Sequence, residues 1–214
     1  LPENTDLIVL PEMFTTGFTM NPQKVAEKMD GPSIRWMQKI ALQKQVAITG
    51  SLVIEQNHNY YNRLVFVHPC GTIEFYDKKH SFTLAGEDRV YTAGNQKLIV
   101  AYKGWRICPL ICYDLRFPVW VRNTENYDVL IFMANWPVAR IKAWETLLKA
   151  RAIENMSYVI GINRTGLDKN KYEYSGNSLI VDYLGEELSN LQKNKIDLVT
   201  AVISKTNQNK IRKK

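Results

Sequence analysis

Trp105-Arg106-Ile107-Cys108-Pro109-Leu110-Ile111-Cys112-Tyr113-Asp114-Leu115-Arg116-Phe117-Pro118 is the stretch on which the fold turns. An apolar strand is predicted from Trp105 to Ile111 and leads straight into a cysteine, with polar and aromatic residues after it. Such short apolar runs suit strands buried inside a sheet. Cys112 is therefore placed just past a strand's C-terminal end. Working outward, the pattern recurs. Leu7-Ile8-Val9-Leu10 is closed by Pro11, which cannot continue central pairing, and Glu12 follows. Ile73 to Tyr76 is followed by Lys78, and Val129 to Ala134 ends at Asn135-Trp136-Pro137.

Between these runs lie helical patterns. Ser33 reads as an N-cap, and Ile34, Met37, Ile40 and Ala41 recur at helical spacing to about Lys44. Arg140 to Met156, rich in Ala, Leu, Lys, Arg and Glu, predicts the longest helix, followed by a strand over Tyr158 to Ile162. Further strands are expected at Val46 to Ile54, Arg63 to Val67, Ser178 to Val181 and Leu198 to Ile203. A Pro69-Cys70-Gly71 turn joins the strand ending at Val67 to the one beginning at Ile73. Strands with helices between them predict a layered α/β domain with helices on one side of its sheet. There is no internal repeat, low-complexity tract or linker, so residues 1–214 read as one domain.

The bulk properties narrow the function. With 45% hydrophobic and 23% charged residues over 214 positions, the composition is that of an ordinary globular chain. No apolar run approaches the roughly 18 residues of a spanning helix, and Leu1 to Asp6 lacks a signal peptide's basic and apolar regions, so no membrane partner is expected. Cys70, Cys108 and Cys112 are an odd number in a chain too large to need staples, which points to a reducing compartment, the cytoplasm. They show no zinc-site spacing, and no metal is expected. Of the net charge of +7, Lys210, Arg212, Lys213 and Lys214 supply four and leave +3 for the rest. That reads as a solvated tail, with no nucleic-acid partner.

Glu12, Lys78 and Cys112 each follow a buried strand, where α/β folds gather their sites. Taken singly, each has a bland reading: a core cysteine, a solvated strand-end carboxylate, one surface lysine among many. Together they carry a resemblance. Leu10-Pro11-Glu12-Met13-Phe14, then Tyr76-Asp77-Lys78-Lys79-His80-Ser81-Phe82, then Ile111-Cys112-Tyr113-Asp114-Leu115-Arg116-Phe117-Pro118 resemble, in order, the three motif regions of the nitrilase (carbon-nitrogen hydrolase) superfamily. Asn135-Trp136-Pro137, Lys149 to Asn155, Gly161 to Arg164 and Ser175 to Ser178 are also similar.

The resemblance implies an αββα sandwich, commonly paired as a homodimer, and a Glu-Lys-Cys triad without cofactor. In the superfamily a first strand and helix precede the point where this sequence begins, and a C-terminal segment follows the point where it ends. A thiol is mostly protonated at neutral pH and needs a base or a positive charge beside it. The implied base is Glu12, and the implied oxyanion partner is Lys78, aided by the N–H of Tyr113. Composition does not separate Lys78 from Lys79; the family's spacing to the histidine, His80 here, selects Lys78. A Cys-His pair using His80 is the rival scheme. Glu87, next to Asp88, resembles the family's second glutamate.

Phe14 to Met20 and Cys112 to Trp120 are similar to the bacterial omega-amidase branch, which implies hydrolysis of the terminal amide of short 2-oxo dicarboxylic acid monoamides. Arg116 is the candidate clamp for the substrate carboxylate, and Tyr113, Phe117, Asn135 and Trp136 are candidate pocket walls. The alternatives are another amide or an N-carbamoyl substrate on the same scaffold, or a catalytically silent binding module.

Overall fold

In the computed structural model, residues 2–189 and 193–213 are described, and they fall into two units, Leu1–Leu98 and Ile99–Lys214. The first unit holds a four-stranded sheet of order β1-β2-β3-β4, made of β1 (Leu7–Val9), β2 (Ala47–Gln56), β3 (Asn59–Val67) and β4 (Ile73–Asp77). β1 runs parallel to β2, and the other pairs are antiparallel. Helix α1 (Pro32–Lys44) buries Ile34, Met37 and Ala41 in one cluster with Ile48, Leu52, Ile54, Val65 and Val67 of the sheet.

Two local readings change here. The N-cap of α1 is Gly31, with Pro32 in the first turn, where its fixed φ fits and its missing N–H is no loss. Ser33 lies inside the helix and donates its N–H (2.8 Å) and its hydroxyl (2.5 Å) to Glu27, so that carboxylate serves a first-turn donor from outside. Secondly, β2 and β3 extend to a two-residue turn, Asn57-His58, with Gln56 opposite Asn59. Both turn residues have positive φ (52° and 62°), the handedness that matches strand twist.

The second unit holds a five-stranded sheet of order β11-β8-β7-β6-β5. Its strands are β5 (Val100–Tyr102), β6 (Trp105–Ile111), β7 (Val129–Ala134), β8 (Tyr158–Asn163) and β11 (Leu179–Val181), while β9 (Thr165–Leu167) and β10 (Glu173–Ser175) form a separate ribbon. β6, β7 and β8 are parallel, and both edge pairs are antiparallel. The bounds of β6 and β7 are those expected from sequence. Pro109 is tolerated inside β6 because of where its nitrogen faces. Arg106 turns its N–H away from β5 onto Asp128 (2.9 Å), so by two-residue alternation Pro109 faces the other side, beyond the point where β5 pairing ends at Ile107. After the short helix α2 (Pro118–Val121), helix α3 (Ile141–Asn155) covers β8 with Trp144 and Leu148, both buried. Gly161 permits that approach, since a Cβ there would lie 2.4 Å from Leu148.

The expected strand over Leu198 to Ile203 is absent: those residues take no regular structure, and Leu198 (57% exposed) and Val202 (97%) bury no sheet face. The basic end is also not a solvated tail throughout. Helix α4 (Lys205–Arg212), capped by Ser204, is docked: Arg212 donates to the Asp128 carboxylate (3.0 Å) and to the carbonyls of Tyr127 and Met156 (2.7 and 2.9 Å). Lys210 and Lys213 are exposed, and Lys214 lies outside the described residues. Among the described residues, no helix is long and apolar enough to cross a membrane.

Candidate active site

The turn after β1 carries Glu12 inward. Leu10 and Phe14 donate their N–H groups to the carbonyls of Thr49 and Ser51 on β2 (2.8 and 3.2 Å), and the Met13 N–H reaches Ser51 Oγ (2.9 Å). This close approach needs Gly50, because a Cβ there would stand 2.9 Å from the Phe14 ring. Glu12 ends 1% exposed.

Lys78 follows β4 and is 3% exposed. Its N–H bonds the Asn62 carbonyl (3.0 Å), and its own carbonyl accepts from Gly94 (2.9 Å). From that fixed backbone, Nζ donates to Glu12 Oε1 (2.9 Å) and to both oxygens of Glu87 (2.9 Å each). Glu87 Oε2 also accepts the Phe82 N–H (2.5 Å). One ammonium thus lies between two buried carboxylates, a net negative group that only further donors make tolerable. The Phe18 ring stands 5.5 Å from Nζ. Burial, then the charges of Glu87 and Glu12, push the Tyr91 hydroxyl well above its ordinary range, so it stays protonated and donates to the Thr19 carbonyl (2.8 Å). The structure therefore brings Lys78, Glu12 and Glu87 together, while Asp88 is exposed.

In the second unit, Cys112 is partly exposed where β6 ends, at a φ of 43° that a non-glycine residue adopts only when its surroundings enforce it. The 3-10 turn over residues 112–116 supplies that enforcement. Asp114 accepts the Ile111 N–H (3.1 Å), and the buried Arg151 of α3 donates twice to the Leu115 carbonyl (3.1 and 2.8 Å). Cys108 is fully buried and Cys70 exposed. Tyr113 and Phe117 meet edge to face at 5.3 Å, and the exposed Arg116 lays its guanidinium 5.1 Å from the Trp136 ring. Asn135 and Trp136 are buried at the end of the neighbouring strand β7, where Asn163 takes the Trp136 N–H (2.7 Å). Among the described residues, no group of three or more His, Cys, Asp or Glu could hold a metal.

Sequence reasoning missed Asn62, Ser51 and Arg151. Each is a polar residue buried to 4% exposure or less, which the sequence signals only weakly. Asn62 falls one residue before the expected start of its strand, so the alternation that would have marked it was not available.

The carbon-nitrogen hydrolase family model matches residues 1–212. The chain is 50% identical over 184 residues to an omega-amidase, YafV, of Yersinia enterocolitica, covering 86% of this chain and 72% of that protein. It is 37% identical to the 2-oxoglutaramate amidase of Bacillus subtilis, covering 87% and 74%. A crystal structure of a superfamily protein from Xanthomonas campestris, with an arsenic adduct in its active site, superposes at a TM-score of 0.95 and 42% identity, over all of this chain and 83% of that one. With the mixed α/β fold, the buried Glu-Lys-Glu group and the cysteine-bearing strand end all in place, the chain belongs to the carbon-nitrogen hydrolase family and is an amide-hydrolysing enzyme.

Proposed function

We propose that the chain is an omega-amidase that cleaves the terminal amide of short 2-oxo dicarboxylic acid monoamides, such as 2-oxoglutaramate, with Glu12, Lys78 and Cys112 acting as one catalytic set. The observation that carries this reading is the Lys78 ammonium held by Glu12 and Glu87, with all three side chains at most 3% exposed. A lysine so placed is a positive charge held beside the base, and it stabilises an oxyanion when one of its three donors turns from a carboxylate to the developing charge. Support for the substrate comes from relatives that are omega-amidases and 2-oxoglutaramate amidases.

In this mechanism Glu12 takes the Cys112 thiol proton, and the thiolate attacks the amide carbonyl. The oxyanion is held by Lys78 and the Tyr113 N–H. Collapse breaks the C–N bond, and the proton on Glu12 leaves with ammonia, giving a Cys112 thioester. Glu12 then removes a proton from water, which attacks the thioester and releases the free dicarboxylate and the thiol. No cofactor takes part. The same reading takes a homodimer in a reducing cytoplasm as the working form. Arg116 holds the substrate's distal carboxylate through two parallel hydrogen bonds, its plane supported by the Trp136 ring.

The test is ammonia release from 2-oxoglutaramate, glutamine and a neutral amide of similar size. A clear preference for 2-oxoglutaramate in kcat/KM is expected. Arg116→Lys should reduce that preference by about 1.5–3 kcal/mol, the worth of a charge-assisted hydrogen bond. Equal losses on charged and neutral amides would remove Arg116 from the site. Preference for the neutral or N-carbamoyl substrate would replace the omega-amidase reading.

A further inference from the structure

Asn62 belongs to neither the motif regions nor the proposed triad, yet its side chain joins both carboxylates that flank Lys78. Its Nδ2 donates to Glu12 Oε1 (2.8 Å) and Glu87 Oε1 (3.2 Å), one hydrogen to each. Its Oδ1 accepts the hydroxyl of Ser51 (2.9 Å), a diagonal neighbour across β2 and β3, since Ser51 pairs with Leu64. That orientation is forced, because the flipped amide would turn its carbonyl oxygen on two carboxylates. Ser51 Oγ in turn accepts the N–H of Met13, the residue after Glu12. A closed ring results: Glu12 carboxylate, Asn62 amide, Ser51 hydroxyl, Met13 backbone. Ser51 and Asn62 are 0% and 1% exposed, so water does not compete for these bonds.

We propose that Asn62, braced by Ser51, is a positioning residue that aims the Glu12 carboxylate and stabilises its anionic form, so that this glutamate works as a base near neutral pH. The inference rests on the reading of Glu12 as base given above. A base that must accept a proton from the thiol and pass it to the departing amine has to keep one orientation through both steps. The Asn62 and Lys78 donors reach the same oxygen, Oε1, from different elements, and two such bonds restrict the rotation of the carboxylate more than either does by itself. Among the described residues, Lys78, Glu87 and Tyr91 are charged or titratable groups close to the carboxylate, and in the mechanism above the Cys112 thiol joins them. Asn62 is the neutral donor among them: it favours the anion without adding a charge to a buried group that already carries three.

The test uses the full chain with Asn62→Leu, which keeps bulk and removes the donor, and Ser51→Ala, which frees the amide to turn. Measured are kcat and KM against pH for amide hydrolysis, and the pH titration of 13C-labelled glutamate carboxyls by NMR. Asn62→Leu should lower kcat by about 10- to 100-fold with KM changed less than about threefold. Because the donor favours the charged carboxylate, its loss raises the carboxyl titration, and the acid limb of kcat/KM should move up by about one pH unit. Ser51→Ala should move both in the same direction by less, and it carries the test if Asn62→Leu does not fold. A fall in kcat with the acid limb and carboxyl titrations unmoved would leave Asn62 a mere fold support and overturn the proposal, as would undiminished kcat. If the unsubstituted chain releases no ammonia from any amide, the reading of Glu12 as base fails. The carboxyl titration then still decides whether Asn62 governs the pair.

Discussion

Lys78 and Lys79 are adjacent and chemically identical, yet only one is delivered to the buried carboxylates. The strand end decides this: Lys78 has its N–H tied to Asn62 and its carbonyl to Gly94, which points its side chain to Glu12 and Glu87. Lys78→Ala should therefore lower kcat by about 10²-fold or more, the scale for losing one oxyanion donor, while Lys79→Ala should change it far less. The reverse order would place the oxyanion partner one residue along. At the same scale, Cys112→Ala should fold and lose amide hydrolysis, and Cys108→Ala should keep it. Thermal melts and ammonia assays on the same preparations check both halves.

At the scale of elements, a turn that holds a cysteine at positive φ needs an outside brace, and α3 provides one. Arg151 spends two donors on the Leu115 carbonyl and one on Glu154 (2.9 Å), so the helix and the end of β6 are coupled through a single guanidinium. Arg151→Met preserves the aliphatic packing and leaves the buried Leu115 carbonyl without these partners. A loss of about 1–3 kcal/mol in unfolding free energy is expected, together with a lower kcat as the turn relaxes. Arg151→Lys should recover only part of either, since one ammonium cannot reproduce the fork. Denaturant melts alongside steady-state kinetics measure both. An unchanged kcat in a destabilised Arg151→Met protein would make the brace purely structural.

At the scale of the whole molecule, the excess of positive charge does different work from what composition suggests. Asp128, 3% exposed, collects Arg212, Lys205 (2.7 Å) and the Arg106 N–H, while Gln208 of α4 donates to the Asp128 and Met156 carbonyls (2.9 and 3.1 Å). Two of the chain's cations thus serve as internal partners for one buried carboxylate. Asp128→Ala leaves them facing each other with no anion between. Because Lys205 and Arg212 keep side-chain exposures of 36% and 22%, the cost is discounted from that of a fully buried pair, to about 2–3 kcal/mol. Chemical denaturation should show that loss, reduced in the double variant Asp128→Ala, Arg212→Met. Additive losses would mean that the two residues do not interact.

Much of this protein was legible in its sequence, because local chemistry is written locally. Apolar runs that stop at a cysteine and at an asparagine marked β6 and β7 to the residue, and the order of the three motif regions identified the family. Helix α1 declared its buried face by spacing alone. What tertiary structure decided was everything that depends on a partner distant in the chain. Ser33 looks like a cap until Glu27 is seen to hold it. The run Leu198 to Ile203 has the composition of a strand, yet Leu198 and Val202 face solvent and the run takes no regular structure. Arg212 reads as solvated until it meets a carboxylate 84 positions earlier. Asn62 and Ser51 lie outside the resembling segments, and Arg151 lies inside one that names no role for it, because what these residues do rests on hydrogen bonds closed by folding, and a sequence records the donors and acceptors of such bonds but not the pairing.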